Sequence, residues 1–280
     1  MLIIASGSSS KRNFRLRCSL RRIAHLLVVC ALLSSAGFAS AAQDSPAKVT
    51  DAVERVKQGN VGTGIVDASS YVEIIANAGA VQAVPSLKEW FSRSQDEEMK
   101  AELASALVRL RDPDNMYWDF LLQLAKPALD SDAPSPFGDS KENHGVPPEF
   151  EAWAKAHKLS VEEAAAAVLQ LPVKLVPLAK TGDPRGIPLL RKALQSRNPL
   201  IQTVGAAGLA KAQDKGAVAL IIAACKRAPT DFAAHSLADA LIYFDDPQAE
   251  SEFHHYFPDV NIHEAKQFRG SDPWRRPTQN

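Results

Sequence analysis

Two consecutive stretches of the chain decide its fold. Residues 183–213 read DPRGIPLLRKALQSRNPLIQTVGAAGLAKAQ, and residues 214–245 read DKGAVALIIAACKRAPTDFAAHSLADALIYFD. Each stretch starts with an aspartate, continues as an apolar helical pattern, breaks at a proline and ends in a second apolar helical pattern. Asp183, Asp214 and Asp246, which we call heads, are 31 (214 − 183) and 32 (246 − 214) residues apart. This period predicts stacked helical hairpins, because a single hairpin cannot bury its own apolar face.

The same frame extends along the chain to two earlier heads, Ala80 and Asp112. A long aliphatic residue lies five positions before each head, in steps of 32, 71, 31 and 32 residues, and a second apolar residue lies three positions earlier. Residues three or four apart share a helix face, so the two columns predict the buried side of the second helix in each hairpin. The first column is Ile75, Leu107, Leu178, Leu209 and Leu241, and the second is Val72, Ala104, Leu175, Ala206 and Ala238.

The repeated unit resembles the HEAT-like repeats, especially the short class of about 30 residues first noted in phycobilisome lyases. The resemblance covers roughly residues 68–256, with one interruption. It implies an all-α fold, an α-solenoid of about five stacked hairpins in a HEAT- or armadillo-like superhelix, which we place at residues 50–258. It implies little about activity, because the family is defined by its scaffold. The segments that carry the resemblance are the heads at 80–87 and 182–190 and the second helices at 103–107 and 204–210.

The N-terminal residues 1–41 have the layout of a secretory signal peptide. They contain six basic residues and no acidic one, an apolar run at 23–33, and a small-residue cleavage pattern at 39–41. The alternative is an N-terminal membrane anchor, for which the apolar run is short. We therefore predict an exported protein, periplasmic or secreted, with no membrane span after leader removal and a loose linker at 42–49.

Removal of this leader changes the charge and the cysteine count. The chain has 32 basic and 32 acidic residues, so losing six basic ones leaves 26 against 32 and a net charge near −6. An acidic chain of this kind argues against general nucleic-acid binding, which favours a basic surface. Cys225 is the remaining cysteine, and its place on an apolar helix face predicts a buried structural thiol. Neither the cysteines nor the histidines form a metal-binding pattern, so we predict no metal or cofactor.

An insertion at about 130–171 interrupts the repeats. The 71-residue step exceeds a regular unit by 39 residues (71 − 32). Residues 130–148 are rich in proline, glycine and polar residues, which predicts a segment that loops out. Residues 149–171 predict additional helices packed against the middle of the stack. Insertions in repeat proteins often lie on the binding face but are also tolerated without a role, and both interpretations stay open.

Smaller signals surround this insertion. Ser160 and Glu163 form a capping-box pattern at the start of a helix. Pro172 and Pro177 should break or kink that helix, because proline lacks the backbone N–H of a helix interior.

Residues 259–280 contain glycine, prolines and many polar residues, which predicts a disordered tail.

One column of polar residues lies three positions before the heads: Asn77, Arg109, Lys180, Lys211 and Tyr243. In a regular stack these side chains form a ridge near one edge of the protein. The ridge has two interpretations: cations near helix C-termini complement the helix dipole, or the ridge binds a partner. On the second interpretation, Arg109, Lys180, Lys211 and Tyr243 are the candidate protein-binding residues.

Two functions remain for a chain with this sequence. The first is an exported, non-catalytic scaffold that binds another protein through the surface of the solenoid. The second is a lyase-like or chaperone-like enzyme built on the same scaffold, with the insertion and the adjacent helices as its site. The sequence contains no recognisable catalytic constellation, so the first hypothesis is favoured and the catalytic one stays open.

Overall fold

The computed structural model describes residues 45–59, 65–137, 146–269 and 272–274. The predicted signal peptide at 1–41 lies outside these residues. Within them the chain is all-helical and has no strand, which confirms the all-α class. The helices are α1 Pro46–Gln58, α2 Ile65–Asn77, α3 Val84–Arg93, α4 Glu97–Arg109, α5 Met116–Leu129, α6 Pro148–Ala156, α7 Val161–Lys180, α8 Ile187–Ala193, α9 Pro199–Lys211, α10 Val218–Arg227, α11 Asp231–Ala238, α12 Pro247–Tyr256 and α13 Ile262–Arg269, with 3-10 helices at Val81–Ala83, Pro184–Gly186, Lys215–Ala217 and Asp239–Tyr243.

The helices pair into hairpins: α1 with α2, α3 with α4, α5 with α7 across the inserted α6, α8 with α9, and α10 with α11. The second helices also pack against one another in chain order, α2 on α4, α4 on α7, α7 on α9, and α9 on α11. We call these five helices, with the 3-10 helix Asp239–Tyr243 that continues α11, the second-helix layer. The first helices meet less extensively, in pairs such as α1 with α3, α5 with α8 and α10 with α12.

The two apolar columns form the inner side of the second-helix layer. Every one of their ten residues is at most 1% exposed, and Leu209 is fully buried. The five-residue offset between the first column and the heads has a structural cause. After three of the second helices the chain turns back, so that the backbone N–H of Ala80, Asp112 and Asp214 donates to the carbonyl oxygen of Ile75, Leu107 and Leu209, respectively. This is the hydrogen bond of a Schellman helix end.

The residue before each of four heads makes this turn possible. Gly79 and Gly182 have φ values of 64° and 63°, and Arg111 and Gln213 adopt 59° and 53° at the equivalent positions. Glycine takes this left-handed conformation without steric cost, whereas an L side chain costs about 1–2 kcal/mol. The turn is therefore set by the packing of the repeat and not only by the residue in it.

The inserted segment is partly packed, which corrects the prediction that 130–148 loops out. Ala133 and Pro134 are buried, and Ala133 joins Phe150 and Ala154 of α6 in a small second core with Ala164 and Val168 of α7. The indole N–H of Trp153 donates to Asp132 at 2.9 Å, which fastens the same segment to α6. Residues 138–145 of the predicted loop lie outside the described part of the chain.

Helix α7 corrects the prediction for residues 149–171. Only α6 is an additional helix, whereas α7 is the second helix of its own hairpin with α5. The capping box at its start is confirmed, with Glu163 N–H donating to Ser160 Oγ at 3.2 Å and Ser160 N–H to Glu163 Oε2 at 2.9 Å. Pro172 and Pro177 lie inside the helix and do not break it. Both are buried in a helix that packs against α5, α9, α4 and α6, and this burial offsets the hydrogen bonds that the prolines cannot donate.

Both ends of the repeat region contain more helix than predicted. Helix α1 begins at Pro46, within the predicted linker 42–49, because Ser45 Oγ caps Lys48 N–H and proline suits a first helical turn. Helix α13 lies within the predicted disordered tail 259–280. Asn261 caps it, and its apolar residues Ile262 and Ala265 pack against the main core. A short polar helix of this kind has too weak a periodic signal to be seen in the sequence.

Candidate protein-binding surface

The five residues of the predicted ridge lie at the C-terminal ends of the second-helix layer, and all are partly buried. We call Asn77, Arg109, Lys180, Lys211 and Tyr243 the terminal row. Helices α4, α7 and α9 each end in their cation within the last turn, where a positive charge complements the helix dipole. The structure therefore brings the predicted residues to equivalent places on neighbouring helices.

Arg109 links the first two hairpins. Its Nη1 lies 3.0 Å from both carboxylate oxygens of Glu73 on α2, and its Nη2 donates to Asn77 Oδ1. Its side chain is only 7% exposed, and that of Glu73 is 23% exposed. A guanidinium buried to this degree needs such a partner, because an uncompensated buried charge is strongly destabilising.

Lys180 continues the row onto α7. Its Nζ lies 3.1 Å from both carboxylate oxygens of Glu102 on α4 and 3.9 Å from Glu73 Oε2. Glu73 and Glu102 thus balance the charges of Arg109 and Lys180. This half of the terminal row is an ion-pair network between adjacent second helices and not a field of free positive charge.

Lys211 on α9 has a partner from a different part of the chain. Its Nζ lies 2.5 Å from Asp272 Oδ2, in the short C-terminal segment 272–274. Both side chains are largely covered, with 21% of Lys211 and 12% of Asp272 exposed. The C-terminal segment consequently covers the terminal row at α9.

Tyr243 closes the row at the end of the 3-10 helix Asp239–Tyr243. The backbone carbonyl of Tyr243 accepts a hydrogen bond from Gln213 Nε2 at 3.1 Å, and Gln213 also caps the end of α9 through the carbonyl of Ala210. Gln213 therefore joins the ends of two neighbouring second helices, as Arg109 does at the other end of the row.

The acidic partners were missed by the sequence reasoning, which followed only the basic column. Glu73 lies four residues before Asn77, and Glu102 lies seven before Arg109, so each shares a helix face with its row residue. That spacing was a usable signal. The pairing of Asp272 with Lys211 spans 61 residues and had no local signal.

A second repeated ion pair lies between first helices and the following heads. Lys88 Nζ contacts Asp112 Oδ2 at 3.2 Å, and Arg191 Nε contacts Asp214 Oδ2 at 2.8 Å. Lys88 and Arg191 each stand eight residues after their own head, so the two pairs are equivalent in the repeat. The hydrogen bond from Lys88 to Asp112 raises the lysine pKa, as the one from Arg191 to Asp214 raises that of arginine.

Two other features bear on chemistry. Cys225 is buried as predicted, and burial raises the pKa of its thiol to about 12, which keeps it protonated and unreactive.

Within the four described ranges, no three His, Cys, Asp or Glu side chains group as a metal site would require. In the same part of the chain, no helix is both long enough and apolar enough to cross a membrane.

No protein-family model matches the chain, and no curated protein shows significant sequence similarity to it.

Proposed function

We propose that the chain is an exported scaffold of HEAT-like repeats, stacked as an α-solenoid, that binds another protein through its second-helix layer. The proposal rests on the unbroken contacts between α2, α4, α7, α9 and α11. Equivalent helices packed side by side present one extended surface, which suits an extended protein partner. In this proposal Arg109, Lys180, Lys211 and Tyr243 form one edge of the binding surface.

The middle of the layer supports this choice of face. Val173 on α7 is 49% exposed, although Leu175 and Leu178 on the same helix are buried. Leu220 on α10 is exposed to a similar degree, 42%, but belongs to a first helix. The two residues provide a matched pair of exposed aliphatic side chains on different layers.

Affinity capture from the envelope fraction of the native host tests the proposal. The mature protein and its Val173→Lys and Leu220→Lys variants serve as baits, because a lysine in the centre of an interface must be desolvated. We expect a specific protein to be retained by the wild type and the Leu220 variant and lost from the Val173 variant. Equal retention by all three baits would contradict binding through the second-helix layer.

Two further measurements complete the test. N-terminal sequencing of the bait made in its native host should begin near Ala42 or Gln43, as the signal-peptide pattern predicts. An intact Met1 on cytosolic protein would contradict export.

Stoichiometric iron or zinc in the purified protein would favour the alternative of an enzyme on the same scaffold.

A further inference from the structure

The pairing in the terminal row changes at α9. Arg109 and Lys180 find their carboxylates on α2 and α4, within the second-helix layer. Glu73 and Glu102 stand four and seven residues before their own row residues. On α7, the helix that precedes Lys211 in the layer, the same two positions hold Val176 and Val173, and on α9 itself they hold Ala207 and Val204. The two helices that could pair with Lys211 thus carry apolar residues at the positions where α2 and α4 carry Glu73 and Glu102.

The C-terminal segment supplies the missing carboxylate. Asp272 Oδ2 contacts Lys211, while Asp272 Oδ1 accepts the backbone N–H of Trp274 at 3.0 Å. This turn holds the acid and the indole of Trp274 in a fixed relation, with Pro273 between them. Trp274 is partly buried and packs against the main core. The carboxylate of Asp272 and the ring of Trp274, two residues apart, therefore hold the segment against the repeats.

The contact of Trp274 with the repeats lacks one hydrogen bond. The Nε1 atom of Trp274 is enclosed and has no hydrogen-bond partner among the described residues. A buried indole N–H normally finds an acceptor, and leaving it unpaired weakens the contact. A segment that offered the same charge and ring with better pairing would bind this place more tightly than the chain's own terminus does.

We propose that the surface around Lys211 at the end of α9 recognises partner segments in which an aromatic residue follows a carboxylate by two positions, and that Asp272–Trp274 is an internal ligand which occupies it. This inference rests on the proposed function and names the chemistry of the partner. The partner's acid replaces Asp272 on Lys211, and its ring replaces Trp274 on the core. Binding then requires displacement of the terminal segment.

Because Asp272–Trp274 belongs to the same chain as its site, it competes with a free peptide at a high effective concentration. A tethered segment has an effective concentration on the order of 1 mM. A peptide that binds the open site with a Kd of about 0.1 mM would then bind the occupied protein roughly tenfold more weakly. Releasing the segment should therefore expose a site that a free peptide can fill.

Fluorescence anisotropy with a labelled peptide of residues 270–276, Gly-Ser-Asp-Pro-Trp-Arg-Arg, tests this prediction. The full chain carrying Asp272→Asn and Trp274→Ala, the released variant, should bind the peptide about tenfold more tightly than the wild type. Adding Lys211→Gln to the released variant should weaken binding at least tenfold. Adding Lys215→Gln instead, a change at an exposed lysine nearby, should alter it less than twofold. Substituting Asp272→Asn in the peptide itself should also weaken binding at least tenfold.

Several outcomes would overturn the inference. Equal binding to wild type and released variant would show that the segment does not occupy the site. Failure of the peptide to bind a released variant with unchanged circular dichroism would show that there is no such site. The single variant Asp272→Asn must show an intermediate gain in affinity, which keeps the test valid if Trp274→Ala disturbs folding. Partner capture through Val173 is measured separately, so it can succeed when the peptide fails and leave the proposed function standing.

Discussion

At the residue scale, the terminal row shows how charge is used inside the second-helix layer. Arg109 and Glu73 are held between neighbouring helices, where the pair loses most of its contact with water. Exposed pairs such as Arg55 with Asp51, on the surface of α1, are 40% and 56% exposed and are screened. The two kinds of pair have the same chemistry but different consequences when one partner is removed.

Replacing Arg109 with methionine should lower the free energy of unfolding by about 1–3 kcal/mol, less than for a fully buried pair because Glu73 keeps some exposure. Arg55→Met is the matched control and should change the free energy of unfolding much less, because that pair is exposed to solvent. Urea unfolding followed by circular dichroism measures both. Equal effects of the two changes would show that Arg109 does not hold the hairpins together.

Asp130 gives a pH-dependent test at the same scale. Its hydrogen bonds to Lys126 on α5 and to Lys192 on α8 lower the pKa of its carboxyl to about 2. A depressed folded-state pKa stabilises the protein above the ordinary value of 3.8, and this contribution is lost as the pH falls from there towards 2.

An NMR titration of the Asp130 carboxyl measures this pKa directly. We expect a value near 2 in the wild type and a clear rise in Lys126→Gln and in Lys192→Gln. The change Lys155→Gln, at an exposed lysine on α6, should leave the titration unchanged. An Asp130 pKa that stays the same in Lys192→Gln would contradict the contact between Asp130 and Lys192, and with it the contact between α5 and α8 at this point.

At the element scale, close packing of second helices depends on small residues in α9. A Cβ atom at Gly208 would lie 2.8 Å from Ala179 Cβ on α7 and 2.9 Å from Leu190 Cδ1 on α8. Both distances are shorter than carbon atoms tolerate, so one of the neighbouring helices would have to move.

Gly208→Ala should therefore destabilise the protein. Overpacking lowers the free energy of unfolding by about 1–3 kcal/mol. The higher helix propensity of alanine raises it by up to about 1 kcal/mol, so we expect a net loss of stability. In Gly216→Ala the new atom meets the flexible tip of Arg191 first, and stability should change little. Thermal unfolding of both variants is the measurement. A more stable Gly208→Ala protein would mean that α9 sits farther from α7 and α8.

The elements differ in how far the sequence predicts them, and the reason is physical. Leu107 and Leu209 stand at the same distance before their heads because both are buried and both accept the closing hydrogen bond of a Schellman turn. Local propensity predicts a break or kink at Pro172, and the packing of α7 on four neighbours overrides that propensity. The position of Glu102 on the same helix face as Arg109 is readable from the sequence, whereas no pattern leads from Lys211 to Asp272 because contacts 61 residues apart are decided by tertiary structure.

At the scale of the whole molecule, the insertion and the C-terminal segment both make ion pairs with the hairpin of α8 and α9. Arg197 after α8 contacts Glu149 of α6 at 2.9 Å, and Lys192 contacts Asp130 at 2.8 Å, so the fourth hairpin contacts the inserted segment through two exposed ion pairs, while the small core of Ala133 and Phe150 packs that segment in place. Asp272 anchors the terminus on the same hairpin, through Lys211 of α9. The hairpin of α8 and α9 thus connects the regular repeats to both irregular parts of the chain.

The central claim is that a protein partner binds the second-helix layer, and site-specific photocrosslinking tests it most directly. A photoreactive residue is placed at Val173 on α7 or at Leu220 on α10, in the mature protein within its native host. Irradiation should produce one discrete protein adduct from position 173 and none from position 220, because only the first position lies on the proposed surface. Adducts from position 220 alone, or equal adducts from both positions, would contradict the account.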